Sequence, residues 1–198
     1  MPENKARVPV GLQDIYYAIC TKDDKEGVEY SNPKLLALAI SANVSPTINS
    51  ATLNANDGPI LTANSLGEIN VEIGIPDISY EDYAILLGSR LNSKGMLIDN
   101  ADDQAPEVAL GYKRTMSDGS VRYVWLLKGK FQLPTEEATT KQGEISFQTP
   151  TITGKFLKRI YDGNWRFRAD SKNPETADLI ASWFDAVPED VPDTIPTP

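Results

Sequence analysis

A period of two runs through Val108 to Trp165, and it confines that stretch to long strands. From Val121 the chain reads VRYVWLLKGKFQLP. Val121, Tyr123, Trp125, Leu127, Phe131 and Leu133 share one parity, and Arg122, Lys128, Lys130 and Gln132 the other. Successive side chains of a strand point to opposite faces, so the pattern predicts one apolar and one largely polar face. Upstream, Val108, Leu110, Tyr112 and Met116 fall on a single face. The joining Ser117-Asp118-Gly119-Ser120 centres on Asp-Gly, which tolerates the positive φ of a hairpin turn. Downstream, TPTITGKFLKRIY sets Ile152, Phe156 and Ile160 against Lys155 and Arg159, and Asp162-Gly163-Asn164 turns the chain into WRFR. Three long strands and a short returning one are expected to form a meander, the main sheet.

The rest of the chain adds strands, two helices and one unusual segment. Met1 to Gly11 reads as a polar arm, and Leu12 to Cys20 as either a short strand or a helical turn, of which we favour the strand. Leu36, Leu38, Ile40, Ala42 and Val44 alternate with smaller or polar residues, predicting another strand. Ile69, Val71, Ile73 and Ile75 alternate with Glu68, Asn70 and Glu72, predicting a further one. Ser79 can cap a helix whose first turn carries Glu81 and Asp82, with Tyr80, Tyr83, Ala84 and Leu87 as its apolar stripe and Gly88 as its stop. Leu97-Ile98 reads as a short strand. Asn173-Pro174 opens a C-terminal helix with Ala177, Ile180, Ala181 and Phe184 inward. Pro134 to Thr149 is a polar loop, and the proline-rich 188–198 an unpatterned tail. Ser45 to Ser65 (SPTINSATLNANDGPILTANS) is rich in Asn and Thr and has a single charge, Asp57. Such a length is either a surface loop or a projecting hairpin that orders against a partner, and we favour partner contact.

Length and composition narrow the class. At 198 residues the expectation is one domain, here 1–187 with the tail 188–198. No run approaches the ~18 apolar residues of a membrane-crossing helix, and MPENKARVPVGLQ has no apolar h-region, so synthesis in a cytoplasm is expected. Cys20 is the lone cysteine, which precludes an internal disulfide. A net charge of −9 argues against a protein that grips nucleic acid by its phosphates. The charge is uneven: Glu107 to Arg168 holds 11 of the 19 basic and 6 of the 28 acidic residues, leaving 8 and 22 for the remainder. The asymmetry fits either two solvated faces of opposite sign or a basic side that meets a neighbour's acidic side. Head-to-tail contacts of the second kind generate rings or filaments.

No reaction centre is legible. The chain has no histidine, which removes the usual proton shuttle near neutral pH and most transition-metal sites. Gly129-Lys130 lies mid-strand without the rest of a phosphate-binding loop. Asp99, Asp102 and Asp103 lack the spacing of a known calcium loop and read as a solvated turn. Glu136-Glu137 reads as two solvent-facing loop carboxylates, and Trp125, Trp165 and Trp183 read as core. We expect no catalytic residue, no cofactor and no bound metal: not an enzyme.

The ordered blocks GLQDIYYAIC, ANVSPTINSATLNANDGP, SLGEINVEIGIPD, VALGYKR, RYVWLLKGKF, FQTPTITGKFLKR and YDGNW resemble the major tail proteins of long-tailed phages that infect Gram-positive bacteria. The resemblance extends over roughly Gly11 to Val187. It implies a mainly β fold, an antiparallel β-sandwich or half-barrel with a flanking short helix and a C-terminal helix. It implies hexameric rings stacked head to tail into a tail tube, a virion structure assembled in the host cytoplasm and used as a conduit for genome ejection. Implied partners are the chain itself, the tail tip or baseplate, tape measure and tail terminator proteins, with duplex DNA passing without sticking. On this sequence the resemblance assigns subunit and ring contacts to the hairpin (Asn49, Thr52, Asn54, Asn56, Asp57 and Leu61) and to arms at Met1 to Gly11 and Val187 to Pro198. Ser41, Asn43, Asn70 and Glu72, on the polar parity of their strands, are expected towards the lumen. A bacteriocin or other phage-derived injection device would use a similar subunit, and a monomeric β-sandwich binding module is the alternative from another class.

Overall fold

The computed structural model describes residues 6–55, 58–134 and 149–190. Its elements in chain order are β1 (Pro9–Asp23), β2 (Val28–Tyr30), β3 (Lys34–Ala37), β4 (Ser41–Ala55), β5 (Gly58–Gly74), α1 (Tyr80–Leu87), β6 (Arg90–Leu91), β7 (Leu97–Ile98), β8 (Val108–Met116), β9 (Val121–Phe131), β10 (Thr151–Leu157), β11 (Arg166–Asp170), a 3-10 turn (Pro174–Thr176) and α2 (Ala177–Ala181). The protein is mainly β, an antiparallel sheet with two short helices. The sheet order is β2-β1-β8-β9-β10-β5-β4; β3 also lies on β1, and β11 on β9.

Two of these positions are interrupted strands. β2 and β3 follow one another along the same edge of β1, opposite Cys20–Asp23 and then Ile15–Tyr17. β10 and β11 likewise share one edge of β9, opposite Lys128–Phe131 and then Arg122–Leu126. The chain between them leaves the sheet at Lys158 and rejoins where the Leu127 amide donates to the Trp165 carbonyl at 3.0 Å. The expected returning strand is therefore a continuation: Asp162-Gly163-Asn164 turns an excursion, not a hairpin. Ile160 is exposed as a result, and Arg159, expected on a polar face, is only 2% exposed.

The predicted strand through Leu36 to Val44 is also divided. β3 ends at one margin of the sheet and β4 begins at the other, joined only by Leu38-Ala39-Ile40. Four residue steps span at most about 14 Å, so the sheet must curl until its margins approach. The packing agrees. One buried cluster takes Leu36 from β3, Ile15 and Tyr17 from β1, Val108 and Leu110 from β8, Leu126 and Phe131 from β9, Phe156 from β10 and Ile69, Val71 and Ile73 from β5. A cluster drawing on every strand position between the two margins occupies the inside of a half-barrel.

α1 closes part of that interior. Ser79 Oγ accepts the Asp82 amide at 3.1 Å and Gly88 ends the helix at φ 77°, as its sequence predicts. The buried side chains are Asp82, Tyr83, Leu86 and Leu87, whereas Tyr80 is exposed, so the stripe is rotated from the predicted one. Asp82 can turn inward because Tyr17 Oη and Lys34 Nζ each donate to Oδ1 at 2.7 Å and Ser79 Oγ donates to Oδ2 at 2.7 Å.

Outside the curl, β1, β8, β9 and β11 are covered by the C-terminal segment. Ala18, Ala109, Trp125, Leu127 and Ala169 pack against Trp183 and Val187, and Trp125 Nε1 donates to the Trp183 carbonyl at 2.9 Å. β9 is thus buried on both faces, Leu126 inside and Trp125 with Leu127 outside, which corrects the expected polar side. α2 is shorter than predicted and ends at Ala181. Its Ala177 and Ala181 are exposed, and the anchors are Trp183 and Val187 beyond it. The expected N-terminal arm is also shortened, since β1 begins at Pro9 and Arg7 binds both oxygens of Asp170 at 2.8 Å.

Candidate interaction surface

β4 and β5 pair from Ser41↔Gly74 to Ala55↔Gly58, but β10 covers β5 only along Ile69–Gly74. Beyond Pro46↔Ile69 the two strands continue without a third among the described residues. Pro46–Ala55 and Pro59–Ser65 are exposed throughout. At about 3.3 Å per residue the ribbon runs roughly 30 Å beyond its last pairing with β10. Ser45 to Ser65 is therefore a projecting hairpin, one of the two sequence-based alternatives. The register assigns its faces. Ile48, Ser50, Thr52, Thr62, Asn64 and Leu66 share one, and Asn49, Ala51, Leu53, Leu61, Ala63 and Ser65 the other. Bulges at Pro46/Ile48 and Leu53/Asn54 bend it at the root and near the tip. Ile48, Leu53, Ile60 and Leu61 are 57–61% exposed.

Of the residues assigned to subunit contact, Asn49 and Leu61 lie on one face and Thr52 on the other, with Asn54 opposite Pro59 near the tip. Asn56 and Asp57 lie outside the described residues. Among the described residues the hairpin offers two unpaired backbone edges and exposed aliphatic side chains, and its sequence carries almost no charge. Exposed edge strands of monomers are commonly guarded by charged side chains; this one is not. A two-stranded ribbon is marginal alone in water, so its chemistry suits ordering against, or hydrogen-bonding to, another protein surface.

Ser41, Asn43, Asn70 and Glu72 do come together. They lie on the outer, exposed face of β4 and β5, where Asn43 is opposite Glu72 and its Nδ2 donates to Glu72 Oε2 at 3.5 Å. Lys155 beside them on β10 holds Glu68 at 2.7 Å. Thr151 and Thr153 continue this polar face onto β10, since Thr153 is opposite Glu72.

The ends of the half-barrel differ in charge. β5 and β9 each pair antiparallel with β10 and so run the same way; the hairpin thus lies at the end where β9 begins. The register brings Arg114 of β8, Arg122 of β9 and Arg168 of β11 to that end, with Arg166 next along the same inner face. Arg122 binds Asp170 at 3.1 Å. Arg114, Arg166 and Arg168 have no carboxylate partner among the described residues. Arg166 stacks over the Trp165 ring at 4.1 Å, and burial and then Arg168 hold its guanidinium below the ordinary pKa. The opposite end carries Asp77 and Glu81 at the start of α1, and Asp99, Asp102, Asp103 and Glu107 ahead of β8. Sequence reasoning found the asymmetry but not the convergence of these arginines, because it did not place β11 on β9.

The acidic turn is organised by its own backbone. The Asn100 amide donates to Asp103 at 2.7 Å, the Asp102 amide to Asn100 Oδ1 at 3.1 Å, and Ser89 Oγ to Asp99 at 2.7 Å. Among the described residues no three of His, Cys, Asp or Glu group to hold a metal, and no helix is long and apolar enough to cross a membrane. Cys20 is half-buried, and burial pushes its thiol up to about 11. Glu136 and Glu137 lie outside the described residues. No protein-family model matches the chain, and no curated protein matches it.

Proposed function

We propose that this chain is a structural subunit of a phage tail tube, forming hexameric rings that stack head to tail into a conduit for genome ejection. The observation that carries the reading is the nearly uncharged two-stranded hairpin beyond Pro46↔Ile69, exposed on both faces and, among the described residues, unpaired on both edges. A segment of that composition is best satisfied by another copy, which can pair an edge and cover Ile48, Leu53, Ile60 and Leu61. Ring closure does the same for the edge of β4 that is unpaired among the described residues. Opposite charge at the two ends supports heterologous stacking. A net charge of −9 supports a lumen through which duplex DNA slides without binding. The reading makes the tail tip or baseplate, tape measure and terminator proteins its partners and the virion its location.

Negative-stain electron microscopy of the purified chain, concentrated stepwise and then seeded with tail tips, tests this. The comparison is a variant with residues 47–68 replaced by Asn-Gly, which closes β4 on β5 at the Pro46–Ile69 pair. We expect rings or hollow tubes from the intact chain and folded monomers from the variant. An intact chain that stays monomeric even with seeds defeats the tube reading; tubes from the variant defeat the role given to the hairpin.

A further inference from the structure

Three arginines converge on the inner face at the hairpin end. Arg114 follows Tyr112 on β8, and Arg166 and Arg168 alternate on β11, opposite Leu126 and Val124 of β9. Val124 is also opposite Tyr112, so the three guanidinium groups surround one buried phenol. Arg7, Arg122 and Arg159 each hold a carboxylate, whereas these three have none among the described residues. Like charges held together cost stability unless an anion meets them, and guanidinium forks fit carboxylates in pairs.

The matching anions are at the other end of the same strand. Asp99, Asp102 and Asp103 precede β8, and their carboxylates have no cation partner among the described residues. Asp102 and Asp103 are fixed in a turn by the Asn100 bonds, with Asp103 half-exposed and Asp102 open to solvent. Arg114 lies six residues past the first residue of β8, about 20 Å at ~3.4 Å per residue, so acid and base sit apart along the strand. A copy displaced along the strand direction presents its acidic turn to the arginines of the next.

We infer that Arg114, Arg166 and Arg168 form a socket for the Asp99–Asp103 turn of a second copy of this chain, the contact that sets the stacking direction. The inference rests on the tube reading and specifies its axial interface. It differs from the hairpin contact in being electrostatic, and therefore salt-sensitive.

Charge exchange tests it on the full chain. R114E/R168E and D102K/D103K each reverse one side; the quadruple variant reverses both. Circular dichroism and melting verify that all are folded, and sedimentation with electron microscopy reads the concentration needed for assembly. We expect each double variant to raise that concentration at least tenfold and the quadruple variant to restore it to within about threefold of wild type. Wild-type assembly that survives both double variants, or a quadruple variant no better than either, overturns the socket and leaves the tube standing. A wild-type chain that never assembles, even when seeded, removes the tube reading and the socket together.

Discussion

Lys128 lies in β9 with its side chain covered by Asp23 at 2.7 Å and Glu107 at 3.2 Å. Asp23 also accepts the Ile160 and Tyr161 amides at 2.8–3.0 Å, so one carboxylate ties β1 to β9 and to the excursion between β10 and β11. Burial alone would raise the Asp23 carboxyl, but the Lys128 bond and the two amides outweigh it and hold it below the usual range. Asp23→Ala leaves a buried ammonium short of a partner and frees two amides, and we expect a loss of about 3 kcal/mol in urea denaturation at pH 7. A carboxyl lowered by folding adds stability above its unfolded pKa, about 4, and loses it as pH falls through the folded value. The gap between wild type and variant should hold from pH 8 to 5 and narrow below 4. A gap independent of pH would mean that Asp23 contributes by packing alone. Nothing in the local sequence DDKEG marks Asp23 as different from Asp24; only the return of residues 160 and 161 to β1 does so.

Among the elements, the strands of the interior and the cap of α1 were legible, because both rest on local rules: alternation along Ile69–Ile75 and an N-cap with acidic residues in the first turn. The predicted C-terminal stripe holds at Ile180 and Phe184, which pack against the outer cluster, and fails at Ala177 and Ala181 for a tertiary reason. Its helical spacing is met by Ala177, Ile180, Ala181 and Phe184, but the groove over Trp125 is filled by Trp183 and Val187, with Phe184 stacked on Tyr16 at 4.2 Å. Trp183→Ala should destabilise the fold by about 3–4 kcal/mol and increase the fluorescence accessibility of Trp125 to a quencher. Ala177→Ser and Ala181→Ser, on exposed positions, should each change stability by less than about 0.5 kcal/mol. A larger loss at these alanines than at Trp183 would restore the helical stripe as the anchor.

For the whole molecule, the half-barrel sets apart three surfaces: a projecting hairpin, a polar outer face on β4, β5 and β10, and two ends of different charge. The lumen assignment belongs at this scale, since Ser41, Asn43, Asn70 and Glu72 become one face only through the pairing of β4 with β5. Within the tube reading, replacing Glu68 and Glu72 by Lys adds cations to a wall that duplex DNA would pass. Assembled particles with E68K/E72K should then release their genome several-fold more slowly in a DNA-dye assay, most clearly at low salt. Release at the wild-type rate would place that face away from the lumen.

By itself the sequence determined the strand periodicity, the hairpin at Asp118-Gly119, the helix starts, the nearly uncharged character of Ser45–Ser65 and the uneven distribution of charge. These depend on neighbours a few residues apart, where alternation, capping and turn chemistry act. Only the tertiary structure decided that Leu38-Ala39-Ile40 bridges the two margins of the sheet, that β11 extends β10 along β9, and that Arg114 meets Arg166 and Arg168. Those outcomes depend on which strands share edges. Pairing is decided by burying both faces of β9 at once, a requirement that no window of adjacent residues contains.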